Sequence, residues 1–286
     1  MNNIKAVDVD HAWVQALRLV HDHGQGRTPR GLSCYAHQGP VLITITQPRR
    51  RVLANPVRGA SLGFMAGEFT WIFTGSNNLN QIAFYNRNMA KYSDDGLTLW
   101  GAYGPRFREQ LTIVVNKLKA DPFTRQAVMT FWRPNPGETK DTPCTVALMF
   151  SRQGRFLDLT AVMRSNDLWL GFPYDVFTFT MIQEVIASAL NLDVGHYHHF
   201  VNDLHYYAEH EAKIEMAMKS VCDSGVMPYY TDGEPHMLEH RLAVFDSQVR
   251  GWRGEPLELP TEPLARWLCQ RMNERRLELV EKEIKR

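Results

Sequence analysis

One cysteine in this chain is surrounded by residue types that would activate a thiol and hold an anion. Cys144 opens the apolar run T-V-A-L-M-F, which predicts a strand, and Gln153-Gly154 predicts the turn that returns the chain beside it. The returning strand and the turn after it supply the remaining polar groups, namely Arg164, Ser165, Asp167 and Asp175. A nucleophile with a cation, carboxylates and a hydroxyl suits a small anionic ligand that has hydrogen-bonding edges.

A loop near the N-terminus combines glycines with fixed positive charge. Residues 24–31 read G-Q-G-R-T-P-R-G and contain Arg27 and Arg30. Flexible backbone beside arginine can wrap a phosphate, although the lysine and following Ser or Thr of a Walker loop are missing. Gly and Pro are also the foremost turn formers. A phosphate loop and a plain surface turn therefore both remain open.

Glu68 lies in the apolar text G-F-M-A-G-E-F-T-W-I-F, which predicts a helix over residues 60–73. An unpaired carboxylate is costly to bury. Either a cation neutralises Glu68 in the core, or Glu68 handles protons in a cleft with a raised pKa. The residues alone favour neither reading.

The elements that must position these groups alternate between helical and strand patterns. Apolar spacing predicts helices over residues 11–21, 60–73, 106–119, 174–190, 208–220 and 261–286, with Asp10 as the N-cap of the first. β-Branched runs predict strands over residues 32–45, broken at Gly39-Pro40, and over residues 125–132 and 195–207. Residues 228–258 look irregular, with one strand at 241–245.

Composition excludes several classes of protein. The formal net charge is +1 and 44% of residues are hydrophobic, so neither wholesale nucleic-acid binding nor an acidic membrane partner is indicated. No apolar run approaches the ~20 residues of a membrane span, and the N-terminus lacks a signal-peptide core. The cysteines show no C-x-x-C spacing, which predicts free thiols in a cytoplasm, or in a host cytoplasm if a phage encodes the chain.

Clustered histidines raise the question of a metal. Alternation along a strand would place His196 and His198 on one face, apart from His199, and a third ligand would come from His205 or His210. No spacing matches a zinc signature. We therefore predict that no metal is bound and that these are aromatic strand residues.

The text around Cys144 resembles the thymidylate synthase family. The matching text is Pro143-Cys144, then R-S-N-D-L-W-L-G-F-P-Y-D over residues 164–175, then D-L-H-Y-Y over residues 203–207. Weaker matches are R-T-P-R-G, His37-Gln38, G-E-F-T-W-I-F-T-G, Tyr103-Gly104 and D-P-F-T-R-Q. The resemblance covers roughly residues 26–210 and is too long and ordered for a chance motif.

The resemblance implies a fold and an assembly. The expected fold is a single thymidylate synthase-like α/β (α+β) domain over residues 1–286, with a mixed, mostly antiparallel sheet and packed helices. Residues 261–286 would form a C-terminal helical extension. The expected assembly is a homodimer across the sheet with shared active sites.

The resemblance also implies a role for each matching position. Cys144 would be the nucleophile, Glu68 would relay protons through water beside the folate, and Tyr103 would line the cleft. The binding residues would be Arg27, Arg164 and Ser165 for the nucleotide phosphate, Arg125 for the phosphate in the partner subunit's site, His205 and Tyr207 for the sugar, Asp175 for the base, and Asp167 for the base and the folate.

The family's chemistry needs these residue types. Attack of a thiolate on C6 of a pyrimidine turns C5 into an enamine-like nucleophile, and nearby arginine favours the thiolate. C5 then attacks the methylene of 5,10-methylenetetrahydrofolate, the expected co-substrate. Glu68 would assist loss of the C5 proton and release of the folate.

Asp175 departs from the methylating members of the family, which have Asn at this place. An ionised carboxylate only accepts hydrogen bonds, so it would receive one from the N4 amino group of cytosine and repel O4 of uracil. Asp at this place resembles the deoxycytidylate hydroxymethylases. The alternative is that Asp175 simply caps the helix that follows.

Two further departures concern the product. The segment N-R-N-M-A-K-Y-S-D-D lacks the tryptophan that shields the folate in methylating members, although Trp100 or Trp71 could take that role. The sequence ends in V-E-K-E-I-K-R instead of an apolar tail. Water that enters would add to the exocyclic methylene and give a hydroxymethyl group. The prediction is C5 hydroxymethylation of a cytidine monophosphate, with dCMP favoured over CMP. The alternatives are reductive methylation of dCMP or dUMP, and a nucleotide- or RNA-binding homologue without the reaction.

Overall fold

The computed structural model describes residues 2–134, 137–252 and 254–284, without the side chains of residues 283 and 284. The strands in these ranges are β1 (Asn2–Ala6), β2 (Gln25–Arg27), β3 (Cys34–Ala36), β4 (Val41–Ile45), β5 (Val128–Thr130), β6 (Thr145–Gln153), β7 (Phe156–Met163), β8 (Asn166–Asp167), β9 (Asp193–Val201) and β10 (Leu204–Tyr207). The α-helices are α1 (Val9–His23), α2 (Leu62–Phe73), α3 (Leu79–Tyr85), α4 (Tyr103–Ala120), α5 (Phe172–Ala189), α6 (Glu211–Ala217), α7 (Pro235–Arg250) and α8 (Pro263–Ile284). Among the described residues, no helix has both the length and the apolar character to cross a membrane.

A six-stranded sheet has the strand order β1-β4-β9-β7-β6-β5. The pairs β1–β4 and β7–β9 are parallel, whereas β4–β9, β6–β7 and β5–β6 are antiparallel. The prediction of a mixed, mostly antiparallel sheet is confirmed. The strand predicted over residues 125–132 is shorter than expected, because β5 pairs with β6 only from Val128 to Thr130.

The two faces of this sheet differ in burial. Helix α1 packs on β1 and β4, and α5 packs on β7 and β9. Tyr197, His199 and Val201 of β9 are fully buried, whereas the intervening His198 and Phe200 are only partly covered. The partly covered face carries two cross-strand rows of side chains, Thr44-His198-Thr160-Met149 and Leu42-Phe200-Val162-Ala147. Period-two alternation therefore separates a core face from a second face that no described helix covers.

A smaller sheet has the strand order β2-β3-β10-β8 and carries several of the predicted site residues, namely Arg27, Asp167, His205 and Tyr207. β10 pairs antiparallel with β3 and parallel with β8, which places His205 opposite Asp167. The single strand predicted over residues 195–207 is wrong, because Asn202 and Asp203 interrupt it. The Asp203 carbonyl accepts the Asn166 N–H at 2.9 Å, and this contact holds the chain as it passes from one sheet to the other.

The N-cap predicted for the first helix is also wrong. Asp8 caps α1 by accepting the His11 N–H, because its extended backbone aims the side chain at the first turn. Asp10 lies two residues further on, in the first turn of α1, and accepts the N–H groups of Ala54 and Asn55 at 2.8 and 3.0 Å. It therefore fixes the segment that leads into α2.

The segment over residues 228–258 contains a helix where the sequence predicted irregular structure and a strand at 241–245. Helix α7 starts at Pro235, and the buried side chains Leu238, Leu242, Phe245 and Val249 recur at helical spacing. The short apolar run within residues 241–245 fits a strand as well as a helix, and only the longer period distinguishes the two.

The charged helix α8 forms as predicted and packs on α2 and α7. Its apolar side chains Leu264, Leu268, Cys269 and Met272 are fully buried. Gly63 permits this approach, since a Cβ added there would lie 2.6 Å from the Cβ of Arg275. The extension thus packs against the helix that carries Glu68.

Candidate active site

The β6–β7 hairpin places Cys144 beside Arg164. The Arg164 N–H donates to the Cys144 carbonyl at 2.9 Å, and its guanidinium donates to the carbonyls of Pro143 and Thr142 at 2.7 and 3.0 Å. These bonds hold Nη2 of Arg164 3.6 Å from Sγ of Cys144. Burial raises the pKa of the Cys144 thiol, and the Arg164 charge opposes that rise. The arginine is therefore positioned to stabilise the thiolate.

Two carboxyl groups meet near this thiol, Glu68 on α2 and Asp175 in the first turn of α5. Burial raises the pKa of Glu68 to about 8, and the charge of Asp175 adds to the rise. Burial raises the pKa of Asp175 to about 7, against the hydrogen bond donated by Asn166. No cation of the described residues contributes to the rise in the pKa of Glu68, so the structure favours the proton-handling reading over the core ion pair.

Asp175 does not cap its helix. The N-cap of α5 is Gly171, and no side chain closes that helix end. One oxygen of Asp175, Oδ2, instead accepts from Nδ2 of Asn166 at 2.7 Å. The capping alternative is therefore wrong, and the side chain is available to a ligand.

Tyr103 begins α4 and lies against the same cleft. Its hydroxyl accepts the Thr145 N–H at 3.2 Å, one residue beyond Cys144, and its ring packs against Phe131 and Phe179. Burial raises the pKa of Tyr103, and the charges of Asp175 and Cys144 add to the rise. The phenol therefore keeps its proton and remains a hydrogen-bond donor.

The small sheet forms the other end of the cleft. Asp167 accepts the N–H groups of Trp169 and Leu170 through Oδ1 at 2.7 and 3.0 Å, whereas its buried Oδ2 has no partner among the described residues. His205 lies opposite on β10, with Tyr207 5.5 Å away between ring centroids. Although burial opposes it, contacts with Asp203 and Asp167 raise the pKa of His205.

The predicted phosphate ligands do not all converge. Arg27 lies at the rim, where it pairs with Asp203 at 2.7 Å, and Ser165 is partly buried next to Arg164. Arg125 is exposed ahead of β5 and, within the described chain, has no hydrogen bond or ion pair to the residues around Cys144. The chain's own site therefore does not include Arg125.

A family model described as thymidylate synthase matches residues 13–226. This chain belongs to the thymidylate synthase family. It is 33% identical over 230 residues to a deoxyuridylate hydroxymethyltransferase of Bacillus phage SP01, a match that covers 73% of this chain and 60% of that protein. A deoxyuridylate hydroxymethyltransferase of Pseudomonas phage M6 is 31% identical over 220 residues, covering 73% and 62%. The thymidylate synthase of Mycoplasma pneumoniae is 28% identical over 138 residues, covering 46% and 48%.

The two phage relatives are longer, and this chain spans about three fifths of their length. Family membership confirms the resemblance seen in the sequence. The structure brings together the predicted Cys144, Glu68, Tyr103, Arg164, Ser165, Asp167, Asp175, His205 and Tyr207, with Arg27 at the rim. The roles of these residues in this thymidylate synthase-family chain stay predictions.

Sequence reasoning missed two members of the site. Asn166 occupies the variable position of R-S-N-D and bonds Asp175. His199, weighed only as a metal ligand, bonds Asn166 from the buried face of β9. Arg30, which the sequence places in the arginine loop, is exposed, and its charge opposes the rise in the pKa of Cys144 and of Tyr207 that burial causes. The glycine and arginine loop over residues 24–31 indicated Arg30, whereas nothing in the local sequence indicated Asn166 or His199.

His196 and His198 do share a face of β9, as predicted. They lie with Asp158 so that one ligand atom from each is within 4.8 Å of the others. Asp158 already accepts the His196 N–H at 2.7 Å, and His198 Nδ1 lies 3.0 Å from the Thr44 hydroxyl. This cluster is on the partly covered face of the sheet and contains none of the residues around Cys144.

Proposed function

We propose that this chain transfers a one-carbon unit from 5,10-methylenetetrahydrofolate to C5 of a pyrimidine deoxynucleoside monophosphate, with water completing a 5-hydroxymethyl product. The observation that carries the proposal is the convergence of Cys144, Arg164, Glu68 and Asp175 in one cleft of a thymidylate synthase-family fold. The two phage relatives are named deoxyuridylate hydroxymethyltransferases, which supports a hydroxymethyl product.

Each reaction step has a residue of suitable chemistry. The Cys144 thiolate, with Arg164 3.6 Å away, would form a bond to C6 and make C5 nucleophilic. After C5 has bonded to the one-carbon unit, Glu68 would take the C5 proton and a proton would pass to the departing folate nitrogen, which keeps the electron pair of the broken bond. The oxygen of water then bonds to the exocyclic methylene, the water gives up one proton to the solvent, and the electron pair of the exocyclic double bond moves into the ring. That pair re-forms the C5–C6 double bond as the C6–S bond breaks and the thiolate leaves. A pKa of about 8 allows Glu68 to bind and release protons near neutral pH.

The residues present fit a folate. The buried Oδ2 of Asp167 is an acceptor that no described residue satisfies, and such atoms are seldom left without a donor. Asp167 would receive N–H groups of the folate. A cavity of about 320 Å³, lined by Trp100, Arg106, Asp94 and Asp95 among others, does not include the residues around Cys144.

Water access favours hydroxymethylation over methylation. Trp71 is buried and donates to the Asn78 carbonyl, so it does not shield the cleft. Trp100 is 40% exposed, and Tyr92, from the segment that lacks a tryptophan, is 46% exposed near Tyr207. These partly open walls would admit the water that hydride transfer must exclude.

The base has two candidates. Asp175 as an acceptor-only carboxylate favours cytosine, and hence dCMP. The phage relatives are described as acting on deoxyuridylate, and a pKa of about 7 would leave a share of Asp175 protonated at neutral pH. dCMP is our first choice, dUMP is the second, and CMP differs from dCMP only at the sugar end beside His205 and Tyr207.

Tritium release tests this function directly. The chain is incubated with C5-tritiated dCMP, CMP or dUMP and methylenetetrahydrofolate, with Cys144→Ser as the control that should release none. We expect release from dCMP, a product heavier by one hydroxymethyl group, and no growth of dihydrofolate absorbance. Growth of that absorbance would indicate methylation, and no release from any nucleotide would favour a non-catalytic binding role.

We also infer that two copies of the chain pair through the partly covered face of the six-stranded sheet. That face carries apolar side chains such as Phe200, Val162 and Met149 in cross-strand rows. Arg125 lies on the edge side of this sheet, before β5, and is exposed. In a dimer, Arg125 would reach the phosphate that is bound in the partner's cleft. It would not serve the cleft of its own chain.

A further inference from the structure

Three buried side chains form a row of hydrogen bonds that ends on Asp175. The hydroxyl of Tyr197 lies 2.6 Å from Nδ1 of His199, and Nε2 of His199 lies 3.0 Å from Oδ1 of Asn166. The Nδ2 of Asn166 then donates to Oδ2 of Asp175 at 2.7 Å. Tyr197 and His199 are fully buried and Asn166 nearly so. The row therefore reaches from inside the sheet to the edge of the cleft.

With Asp175 ionised, chemistry fixes the direction of every bond in the row. An amide nitrogen only donates and an amide oxygen only accepts, so His199 must donate through Nε2. Burial lowers the pKa of His199 to about 3, which keeps the ring neutral and makes Nδ1 an acceptor for the Tyr197 hydroxyl. Turning the Asn166 amide over would set its oxygen against an ionised Asp175 and would also require the His199 ring proton to move to Nδ1. While Asp175 is ionised, all three bonds therefore run towards it.

The row divides the two oxygens of Asp175 between protein and cleft. While the Asn166 amide keeps this orientation, Oδ2 is an acceptor in both protonation states of the carboxyl group, so a proton bound by Asp175 sits on Oδ1. Within the described chain, Oδ1 receives no hydrogen bond. Gly171 closes the protein side, since a Cβ added there would lie 3.2 Å from Oδ2 and 3.3 Å from Nδ2 of Asn166.

The ionisable groups that interact with Asp175 come from four elements and from the segment before β6. They are Glu68 of α2, Tyr103 of α4, Cys144 before β6, Asp167 of β8, and Tyr197 of β9. None of them is a cation. The donor from Asn166 is therefore the main contact that favours the ionised form of Asp175.

We propose that Tyr197, His199 and Asn166 are positioning residues that leave only Oδ1 of Asp175 to the base, so that a single proton on Oδ1 decides which base is bound. Without the proton, Oδ1 accepts from the N4 amino group of cytosine. With the proton, the Oδ1–H group donates to O4 of uracil. The inference rests on the proposed function for the identity of the ligands, and it accommodates both candidate substrates in one site.

Equilibrium binding of dCMP and of dUMP, measured across a pH range that spans the Asp175 pKa of about 7, tests the inference. Cytosine needs the ionised form and uracil the protonated form, so the ratio of the dCMP to the dUMP association constant should rise about tenfold per pH unit. Ionisation of the nucleotide phosphate affects both ligands alike and cancels in the ratio. A ratio that does not change with pH would overturn the proposal.

Two variants test the row itself. Asn166→Ala removes the donor that favours ionisation, so the ratio at fixed pH should fall towards dUMP by about tenfold or more. Tyr197→Phe keeps the volume but frees the His199 tautomer, and should lower the ratio by less. Tyr206→Phe is the matched control, since Tyr206 is an equally buried tyrosine on β10 outside the row. If Asn166→Ala fails to fold, Tyr197→Phe carries the test.

The outcomes separate this inference from the proposed reaction. If the ratio varies with pH while no tritium is released, the reaction is wrong and the base-reading account stands. If tritium is released while Asn166→Ala and Tyr197→Phe leave the ratio no different from Tyr206→Phe, the row has no part in base choice and the inference is wrong.

Discussion

The identity of one atom at position 175 decides which pyrimidine leaves a polar group without a partner. Replacing Asp175 by Asn turns an acceptor-only carboxylate into an amide that donates to O4 of uracil. We expect Asp175→Asn to shift the dCMP to dUMP ratio of kcat/KM about a hundredfold towards dUMP, because an unpaired buried group costs about 1–3 kcal/mol. Tritium release from the two nucleotides measures the shift.

The control for this change is Asp22→Asn, which removes an exposed carboxylate outside the cleft. Asp22→Asn should leave the preference as it is. An unchanged preference in Asp175→Asn itself would contradict the role given to this side chain, and so would a preference that still varied with pH in that variant.

Glu68 illustrates how a proton-handling group costs stability. Its folded pKa of about 8 exceeds the ordinary 4.5, so its favourable contribution is complete below pH 4.5 and is lost as the pH rises through about 8. Glu68→Gln cannot ionise and should keep that contribution. Its advantage in unfolding free energy over the native chain should grow from mildly acidic pH to above pH 8, by on the order of 3 kcal/mol.

Urea unfolding at the two pH values measures this difference, with Glu209→Gln as the exposed control. An advantage for Glu68→Gln that is the same at both pH values would show that Glu68 is not held in its protonated form. The same variant should lose most of its tritium release, because it can no longer take the C5 proton.

The local sequence predicts some residues of the candidate site and not others. Cys144 and Arg164 were accessible to sequence reasoning because a single hairpin joins them, and its turn residues are visible. Asn166 and His199 meet only through the pairing of different strands. Their contact depends on where the chain leaves the six-stranded sheet, and the sequence around either residue does not specify that point.

At the scale of elements, long apolar periods were predicted well and short polar interruptions were not. The helices α2, α4, α5 and α8 follow from spacing alone, within a few residues at their ends. The break between β9 and β10 rests on Asn202 and Asp203, whose carbonyl satisfies a donor from β8. Tertiary structure determines this partner, so the local pattern over residues 195–207 predicts one continuous strand.

The packing of α8 on α2 gives an element-scale prediction. Gly63→Ala would normally favour a helix by about 1 kcal/mol, but the new Cβ would lie 2.6 Å from the Cβ of Arg275, an atom fixed to its backbone. We expect a net loss of about 1–3 kcal/mol in unfolding free energy. Thermal unfolding measures it, and Gly26→Ala, which meets nothing within 4 Å, is the matched control. Equal or higher stability in Gly63→Ala would mean that α8 does not approach α2 this closely.

At the scale of the whole molecule, two of the arginines that one chain brings to the cleft are already engaged in other contacts. Arg164 is engaged with Cys144 and two carbonyls, and Arg27 is paired with Asp203 at the rim. The dianionic phosphate of a nucleotide favours several arginines at once. The predicted source of another is Arg125 of a second copy, which sequence resemblance suggested and a single chain cannot supply.

Mixing two inactive variants decides whether Arg125 serves a partner. Arg125→Glu should lack the phosphate contact in both sites of its own dimer, and Cys144→Ser should lack the nucleophile. In a mixed dimer, one site combines Cys144 of the first variant with Arg125 of the second and is complete. Random exchange should therefore restore about one quarter of the native tritium release, since half of the dimers are mixed and each has one complete site.

The control for the mixture is Arg152→Glu with Cys144→Ser, because Arg152 is another exposed arginine, at the far end of β6. Arg152→Glu alone should remain active, so mixing should only dilute its release. If Arg125 instead acted within its own chain, every mixed dimer would contain one site without the nucleophile and one without the arginine. No activity would then return, although sedimentation would still show dimers, and the contact would have to be sought within a single subunit.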